Sequence, residues 1–137
     1  MKNRMLAVAA GVLLVAAAGT AGAKDVAVSL TGAQEVPAVT TEAKGTGKIT
    51  IADDGAVSGS IKTTGITGVA AHIHEAAAGK NGPPVITLEK KGDSEWAVPA
   101  GAKLTDAQLA SFKAGNLYVN VHSAEHKGGE IRTQLKP

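Results

Sequence analysis

The stretch KGTGKITIADDGAVSGSIKT (residues 44–63) decides the fold class of this chain. Two runs, Lys44–Ala52 and Ala56–Thr63, alternate between apolar and polar or small residues, and an Asp-Asp-Gly turn (residues 53–55) separates them. An Asp-Gly pair between two alternating runs is a strong signal for a β-hairpin. The stretch therefore predicts two neighbouring antiparallel strands.

Short strands separated by turn residues continue along the chain. Further strands are predicted at residues 26–30, 69–75, 85–89, 95–98, 116–122 and 130–135. The one helix signal is Thr105-Asp106-Ala107-Gln108, which has the form of a capping box and predicts a short helix near residues 105–114. Seven or eight short strands with one helix predict a single all-β domain over residues 24–137, built as an antiparallel sandwich or barrel.

The first 23 residues have the features of a secretory signal peptide. Lys2 and Arg4 precede an apolar run, Met5–Ala18, and small residues suited to cleavage follow at 21–23. The run is shorter than the roughly 20 residues that usually span a bilayer. We therefore expect a cleaved signal, a periplasmic or secreted protein and no stable membrane insertion after cleavage. The alternative is an uncleaved N-terminal anchor.

Charge and composition argue against a nucleic-acid partner. Without Lys2 and Arg4, the 14 basic residues of the whole chain fall to the number of its acidic residues, which is 12. Nucleic-acid binding requires a basic face, and stacking on bases requires aromatic side chains, of which the chain has only three. The sequence therefore favours neither kind of contact.

Two histidines stand one residue apart in the predicted strand at 69–75. Alternate side chains of a strand point to opposite faces, so the apolar residues beginning with Val69 take the core face, and His72 and His74 share the other. Their positions are about 6.6 Å apart along the strand at about 3.3 Å per residue. Two imidazoles at that spacing can bind one metal ion, although they can equally be half-exposed polar residues.

A second predicted strand also carries a histidine near its C-terminal end. His122 lies on the non-core face of the strand at 116–122, and His126 follows in a loop. If this strand lies beside the H-x-H strand, three or four imidazoles meet. The sequence therefore predicts a metal site formed by His72, His74, His122 and His126. The alternative is that His122 and His126 are surface residues.

Carboxylates near these histidines are further candidates for the site. Glu75, Glu125 and Glu130 could act as ligands or could orient an imidazole through its second nitrogen. Glu130 and Arg132 are two residues apart on one strand and are predicted to pair with each other.

The absence of sulfur ligands restricts the metal. The chain has no cysteine, and both methionines lie in the predicted signal peptide. Thiolates and thioethers favour Cu(I), whereas imidazoles suit Cu(II) and Zn(II), and copper is favoured at equal geometry. The composition therefore predicts Cu(II), with zinc as the alternative, and excludes a blue-copper electron-transfer site.

Four segments resemble the CHRD domain family, named after the repeats of chordin. They are LTGAQEVPAV (30–39), AHIHEAAAGKNGPPVITL (71–88), LTDAQLASFKAGNLYVNVHS (104–123) and GGEIRTQL (128–135). The resemblance implies an immunoglobulin-like Greek-key β-sandwich. It places the histidines of the family motif at His72, His74 and His122, whereas His126 departs from the usual turn. The H-x-H strand is also similar to the copper-ligand strand of Cu,Zn superoxide dismutases.

Three functions are open at this point. The first is an exported, non-enzymatic metal-binding protein that buffers or sequesters Cu(II) or zinc. The second is a structural or protein-interaction domain whose histidines stabilise loops. The third is a metalloenzyme of the superoxide dismutase type. Nucleophilic catalysis is not favoured, because Ser123 and His122 are adjacent on a strand and therefore face opposite ways.

Overall fold

A computed structural model describes residues 22–137 of the chain. In this range the chain forms nine strands, one 3-10 turn (Gly32–Gln34) and one helix, α1 (Asp106–Lys113). Residues 1–21 of the predicted signal peptide lie outside the described residues. The strands are β1 (Ala23–Thr31), β2 (Lys44–Ala52), β3 (Val57–Thr64), β4 (Gly68–Glu75), β5 (Pro84–Thr87), β6 (Glu89–Gly92), β7 (Glu95–Ala97), β8 (Leu117–Ser123) and β9 (Ile131–Leu135).

All nine strands belong to one antiparallel sheet in the order β5-β4-β8-β9-β1-β2-β3-β7-β6. The two outermost strands, β5 and β6, are consecutive in the chain, with only Leu88 between them. The Leu88 N–H donates to the Ala71 carbonyl of β4 at 2.9 Å, and Lys90 Nζ donates to the Gly68 carbonyl at 3.0 Å. The sheet therefore curls into a nearly closed barrel.

The interior of this barrel is the hydrophobic core. Alternate residues along the strands point inward, and Trp96 and the helix residue Phe112 complete the packing. The predicted all-β antiparallel class is therefore confirmed. The immunoglobulin-like Greek-key sandwich is not confirmed, because hydrogen bonds connect all nine strands into one sheet.

The hairpin and the helix form where the sequence predicts them. Ile51 pairs with Val57 across the Asp-Asp-Gly turn, and Gly55 adopts a φ of 90°. In the capping box of α1, the Gln108 N–H donates to Thr105 Oγ1 at 3.2 Å, and the Thr105 N–H donates to Gln108 Oε1 at 3.0 Å. Both structures depend only on residues close together in the chain, so the sequence predicts them correctly. Within residues 22–137, no helix has the length and apolar character that crossing a membrane requires.

Two details differ from the sequence prediction. Strand β6 was not expected, because its four residues are all exposed and show no apolar alternation. Val69 was predicted to face the core, but it is 58% exposed. The pairing of β4 with β8 shifts register between Gly68 and Ala70, and such a bulge redirects the side chain within it.

The outer face of β4, β8 and β9 is also buried, and this positions the candidate site. Segments 32–43, 76–83 and 124–130 lie over it. Asn81 links two of them, since its Nδ2 donates to the Val36 carbonyl at 2.7 Å and its Oδ1 accepts from Arg132 at 3.0 Å. Tyr118 and Asn120, which point to this face, are therefore almost completely buried. The sheet has a polar layer on one side of these strands and the apolar core on the other.

Candidate metal centre

Strand pairing brings three histidines together on the buried outer face. In the register of β4 and β8, His72 lies opposite Asn120, His74 opposite Tyr118, and Ala70 opposite His122. Residues paired across neighbouring strands point to the same face. His122 is therefore a diagonal neighbour of His72. The prediction that the two histidine-bearing strands lie side by side is confirmed.

The nitrogen atoms of the three rings are close enough to share an ion. One ring nitrogen from each of His72, His74 and His122 lies within 4.8 Å of the other two. His72 Nδ1 and His122 Nε2 are only 3.0 Å apart. Zinc binds imidazole nitrogen at about 2.0–2.1 Å, so two ligands of one ion are at most about 4 Å apart. Separations of up to 4.8 Å exceed that limit by less than 1 Å, so the rings would have to move only slightly to bind one ion together.

Backbone carbonyls determine which nitrogen of two rings is available. His74 Nδ1 lies 2.9 Å from the Gly82 carbonyl, and His122 Nδ1 lies 2.9 Å from the Lys127 carbonyl. A carbonyl only accepts, so each Nδ1 carries the proton and each Nε2 keeps its lone pair. Metal-binding histidines are commonly oriented in this way by a partner on their second nitrogen.

Burial favours the neutral form of all three imidazoles. It lowers the pKa of His72, His74 and His122 below the ordinary value of 6.5. For His72, the charges that His122 and His74 would carry lower the pKa further. The hydrogen bonds to Gly82 and Lys127 oppose the effect of burial for the other two. Since only neutral imidazole ligates, this environment suits metal binding near neutral pH.

The ring of His74 is held in a stack with Tyr118 and Arg132. The imidazole and phenol rings are 4.8 Å apart and nearly parallel, and the guanidinium carbon of Arg132 lies 3.4 Å from the centre of the Tyr118 ring. Arg132 also donates to Asn81 Oδ1 at 3.0 Å and to the Lys80 carbonyl at 2.7 Å. It therefore secures the loop whose Gly82 carbonyl orients His74.

A pocket of about 440 Å³ opens beside the histidines. Its lining includes His74, His122, Tyr118 and Glu35. Among the side chains of residues 22–137, four buried polar atoms lack a hydrogen-bond partner, and two of them, His74 Nε2 and Glu35 Oε2, belong to lining residues. A third is Oδ1 of Asn120, whose side chain influences the pKa of both Glu35 and His74. Such atoms are rare, and a bound ion is one explanation for them. The residues present therefore fit a metal ion.

Glu35 is a buried acid within this lining. Only 5% of it is exposed, and burial raises the pKa of its carboxyl group to about 7, although the charge of Arg132 acts in the opposite direction. Gly129 packs directly against it: a Cβ at that position would overlap Glu35 Oε2 and Asn120 Nδ2. The space around the carboxyl group therefore depends on a glycine.

The remaining predicted site residues do not join the group of three nitrogens. His126 lines the same pocket but does not belong to the group of three nitrogens. Glu130 accepts from Ser123 Oγ at 2.7 Å and from Thr41 Oγ1 at 2.8 Å. Since Arg132 donates to the 76–83 loop instead, the predicted pairing of Glu130 with Arg132 is wrong. Glu75 and Glu125 are likewise outside the group of three nitrogens.

Sequence reasoning missed Glu35 and the stack of Tyr118 with Arg132. Glu35 follows a 3-10 turn in a loop, where no periodicity indicates which way a side chain points. Its one signal was its place in the segment LTGAQEVPAV, which carries part of the family resemblance.

Comparison with known proteins gives one match. No curated protein matches this chain. No solved structure matches it. The family model described as the CHRD domain matches residues 26–135, from the first core residue of β1 to the last residue of β9. This range contains the three clustered histidines, Glu35 and every strand pairing that brings them together. The chain belongs to the CHRD domain family.

Proposed function

We propose that this CHRD domain is a metal-binding protein that holds one Cu(II) or Zn(II) ion through His72, His74 and His122. The observation that carries the proposal is the state of the ring nitrogens. His74 and His122 each keep the lone pair on Nε2 because their Nδ1–H groups are bonded to backbone carbonyls. His74 Nε2 is buried and lacks a hydrogen-bond partner among the described residues. An ion there would satisfy it.

The donor set favours Cu(II), with Zn(II) as the alternative. Three imidazoles form a nitrogen site without sulfur, and the order of divalent metal affinities places copper above zinc at equal geometry. We propose a role in buffering or sequestering the ion, and we propose no catalytic reaction.

We also propose that the protein acts outside the cytoplasm, in the periplasm or after secretion. The support is the composition of residues 1–23, with two basic residues, an apolar run and small residues at the expected cleavage site. The N-terminal sequence of protein recovered from the periplasm or the medium tests this. An N-terminus at residue 24 is expected, and recovery of only the full-length chain from the cytoplasm contradicts export.

Titration of tag-free protein with Cu(II) tests the metal site. We expect one equivalent to bind, with a d–d absorption band and nitrogen hyperfine structure in the electron paramagnetic resonance (EPR) spectrum. The double variant His72→Ala/His74→Ala removes two of three ligands and is expected to lose this binding. His126→Ala is the matched control, because His126 lies at the same pocket but outside the cluster. Unchanged copper binding by the double variant refutes the proposal.

A structural role for the histidines is the second candidate. It is favoured by the bonds of His74 and His122 to carbonyls in segments 76–83 and 124–130, because these bonds hold the loops against the sheet. The two functions differ in how stability responds to metal. A bound ion at a hundredfold excess over its Kd stabilises the native state by about 2.7 kcal/mol. An unchanged melting temperature with added copper favours the structural role.

A further inference from the structure

Glu35 is a further polar residue in the lining of the pocket beside the histidines. Only 5% of this residue is exposed, yet its Oε2 atom lacks a hydrogen-bond partner among residues 22–137. Leaving a buried acceptor without a partner is destabilising, more so when the group is charged. A ligand that donates a hydrogen bond to this atom would remove that cost.

The three imidazoles by themselves leave a metal ion incompletely coordinated. Structural sites usually have four protein ligands, whereas sites that exchange a ligand have three and keep one position open. The described residues offer three clustered nitrogens, and no fourth histidine, cysteine or carboxylate joins the group. His74 and His122 line the pocket, so an ion that they hold faces the same space as Glu35.

We propose that the metal centre is open and that its remaining coordination position accepts a small molecule bearing an N–H or O–H group, which donates to Glu35 Oε2. The inference rests on the proposed metal site and extends it, because it names the class of ligand and the residue that selects it. Water is the smallest member of the class. A pocket of about 440 Å³ also admits a five-membered ring.

Imidazole and 1-methylimidazole are a matched pair of probes for this ligand class. Both bind Cu(II) through an aromatic nitrogen, but only bound imidazole keeps an N–H group to donate. Protein loaded with one equivalent of Cu(II) is titrated with each probe, and binding is followed by visible absorption and EPR. The readout is the ratio of the two dissociation constants, which does not depend on how much of the protein carries metal.

We expect imidazole to bind wild-type protein about tenfold more tightly than 1-methylimidazole, as one hydrogen bond to a carboxylate implies. Glu35→Leu is expected to reduce the ratio to about one. Glu35→Gln retains an acceptor and is expected to keep part of the preference. Glu42→Leu is the control, because Glu42 is an exposed acid of the same 32–43 segment, and this variant should leave the ratio unchanged.

The outcomes separate the inference from the proposed function. If copper binds but neither probe does, the centre is closed and the inference is refuted. A ratio of one in wild-type protein, which needs no variant, refutes the role of Glu35, and so does a ratio that Glu35→Leu leaves unchanged. Failure of copper itself to bind, seen before any probe is added, refutes the proposed function and the inference together.

Discussion

His72 Nδ1 lies 3.0 Å from His122 Nε2, although 50 positions separate the two residues in the chain. Since His122 Nε2 carries the lone pair, His72 donates and the metal-free site holds a hydrogen bond between two neutral rings. The same two nitrogens are candidate ligands. Metal binding would therefore replace this hydrogen bond, with the His72 proton moving from Nδ1 to Nε2 so that Nδ1 can ligate. The histidines would then stabilise the fold without the ion and bind the ion when it is present.

The two partners of this contact are expected to differ in their effect on stability. His122 is buried and bonded to the Lys127 carbonyl, whereas His72 is half-buried. In metal-free buffer, His122→Ala should lower the free energy of unfolding by about 1–3 kcal/mol, because it leaves a cavity and removes a hydrogen bond. His72→Ala should cost less. Urea denaturation in the presence of a chelator measures both, and equal costs would contradict this assignment of burial.

The lowered pKa values of the histidines predict how metal-free stability depends on pH. In the unfolded chain the imidazoles titrate near 6.5, and in the folded chain they resist protonation until lower pH. Between those two values the unfolded state binds more protons, so stability falls as pH decreases below about 6.5. Thermal unfolding of metal-free protein from pH 8 to 5 measures this. The triple variant His72→Gln/His74→Gln/His122→Gln should show a smaller decrease.

Glu35 is expected to act in the opposite direction. Its pKa is raised from 4.5 to about 7, so the folded state binds the extra proton between these values, and stability falls as pH rises through them. The whole effect corresponds to about 3 kcal/mol at about 1.4 kcal/mol per pKa unit. Glu35→Gln removes this titration. The variant should therefore gain stability relative to wild type as pH rises from 4 to 8, and a constant difference would contradict the burial of the carboxyl group.

Two adjacent glycines offer a matched test of the space beside Glu35. Gly129 has a φ of 120°, and a Cβ there would overlap Glu35 Oε2 and Asn120 Nδ2, whereas a Cβ on Gly128 meets nothing within 4 Å. Gly129→Ala is expected to cost about 1–3 kcal/mol from backbone strain and overlap. Gly128→Ala should be close to neutral. Melting temperatures of the two variants decide the point, and equal values would argue against this packing.

Arg132 is expected to stabilise the protein through its stacking and its hydrogen-bond geometry, as well as through its charge. Its guanidinium stacks on Tyr118 and donates to the Lys80 carbonyl and to Asn81. Lysine cannot reproduce both the stacking and the forked donation, so Arg132→Lys should lower the free energy of unfolding by about 1–3 kcal/mol and weaken copper binding through the displaced loop. Lys44→Arg, at an exposed position, is the control. Wild-type copper affinity in Arg132→Lys would show that the loop does not position His74.

Much of the fold was predictable because its signals are local. The hairpin around residues 53–55 and the capping box that begins α1 depend on neighbours a few positions away. The shared face of His72 and His74 depends only on strand alternation. Strand β6 and the exposed Val69 were not predictable, since β6 exists through its pairing with β7, and Val69 faces outward because of a bulge against β8.

The sequence by itself determined most of the strand pattern, the shared face of His72 and His74 and the absence of cysteine, because these follow from residue identity and the two-residue repeat of a strand. Only the tertiary structure decided that β8 lies beside β4, that loops bury their outer face and that Glu35 enters the same pocket. The physical reason is distance along the chain. Residues 72 and 122 come together only when β4 pairs with β8, and residue 35 reaches the pocket lined by His122 only when its loop packs over the sheet. Burial in the folded protein then lowers the pKa of the three histidines and raises the pKa of Glu35.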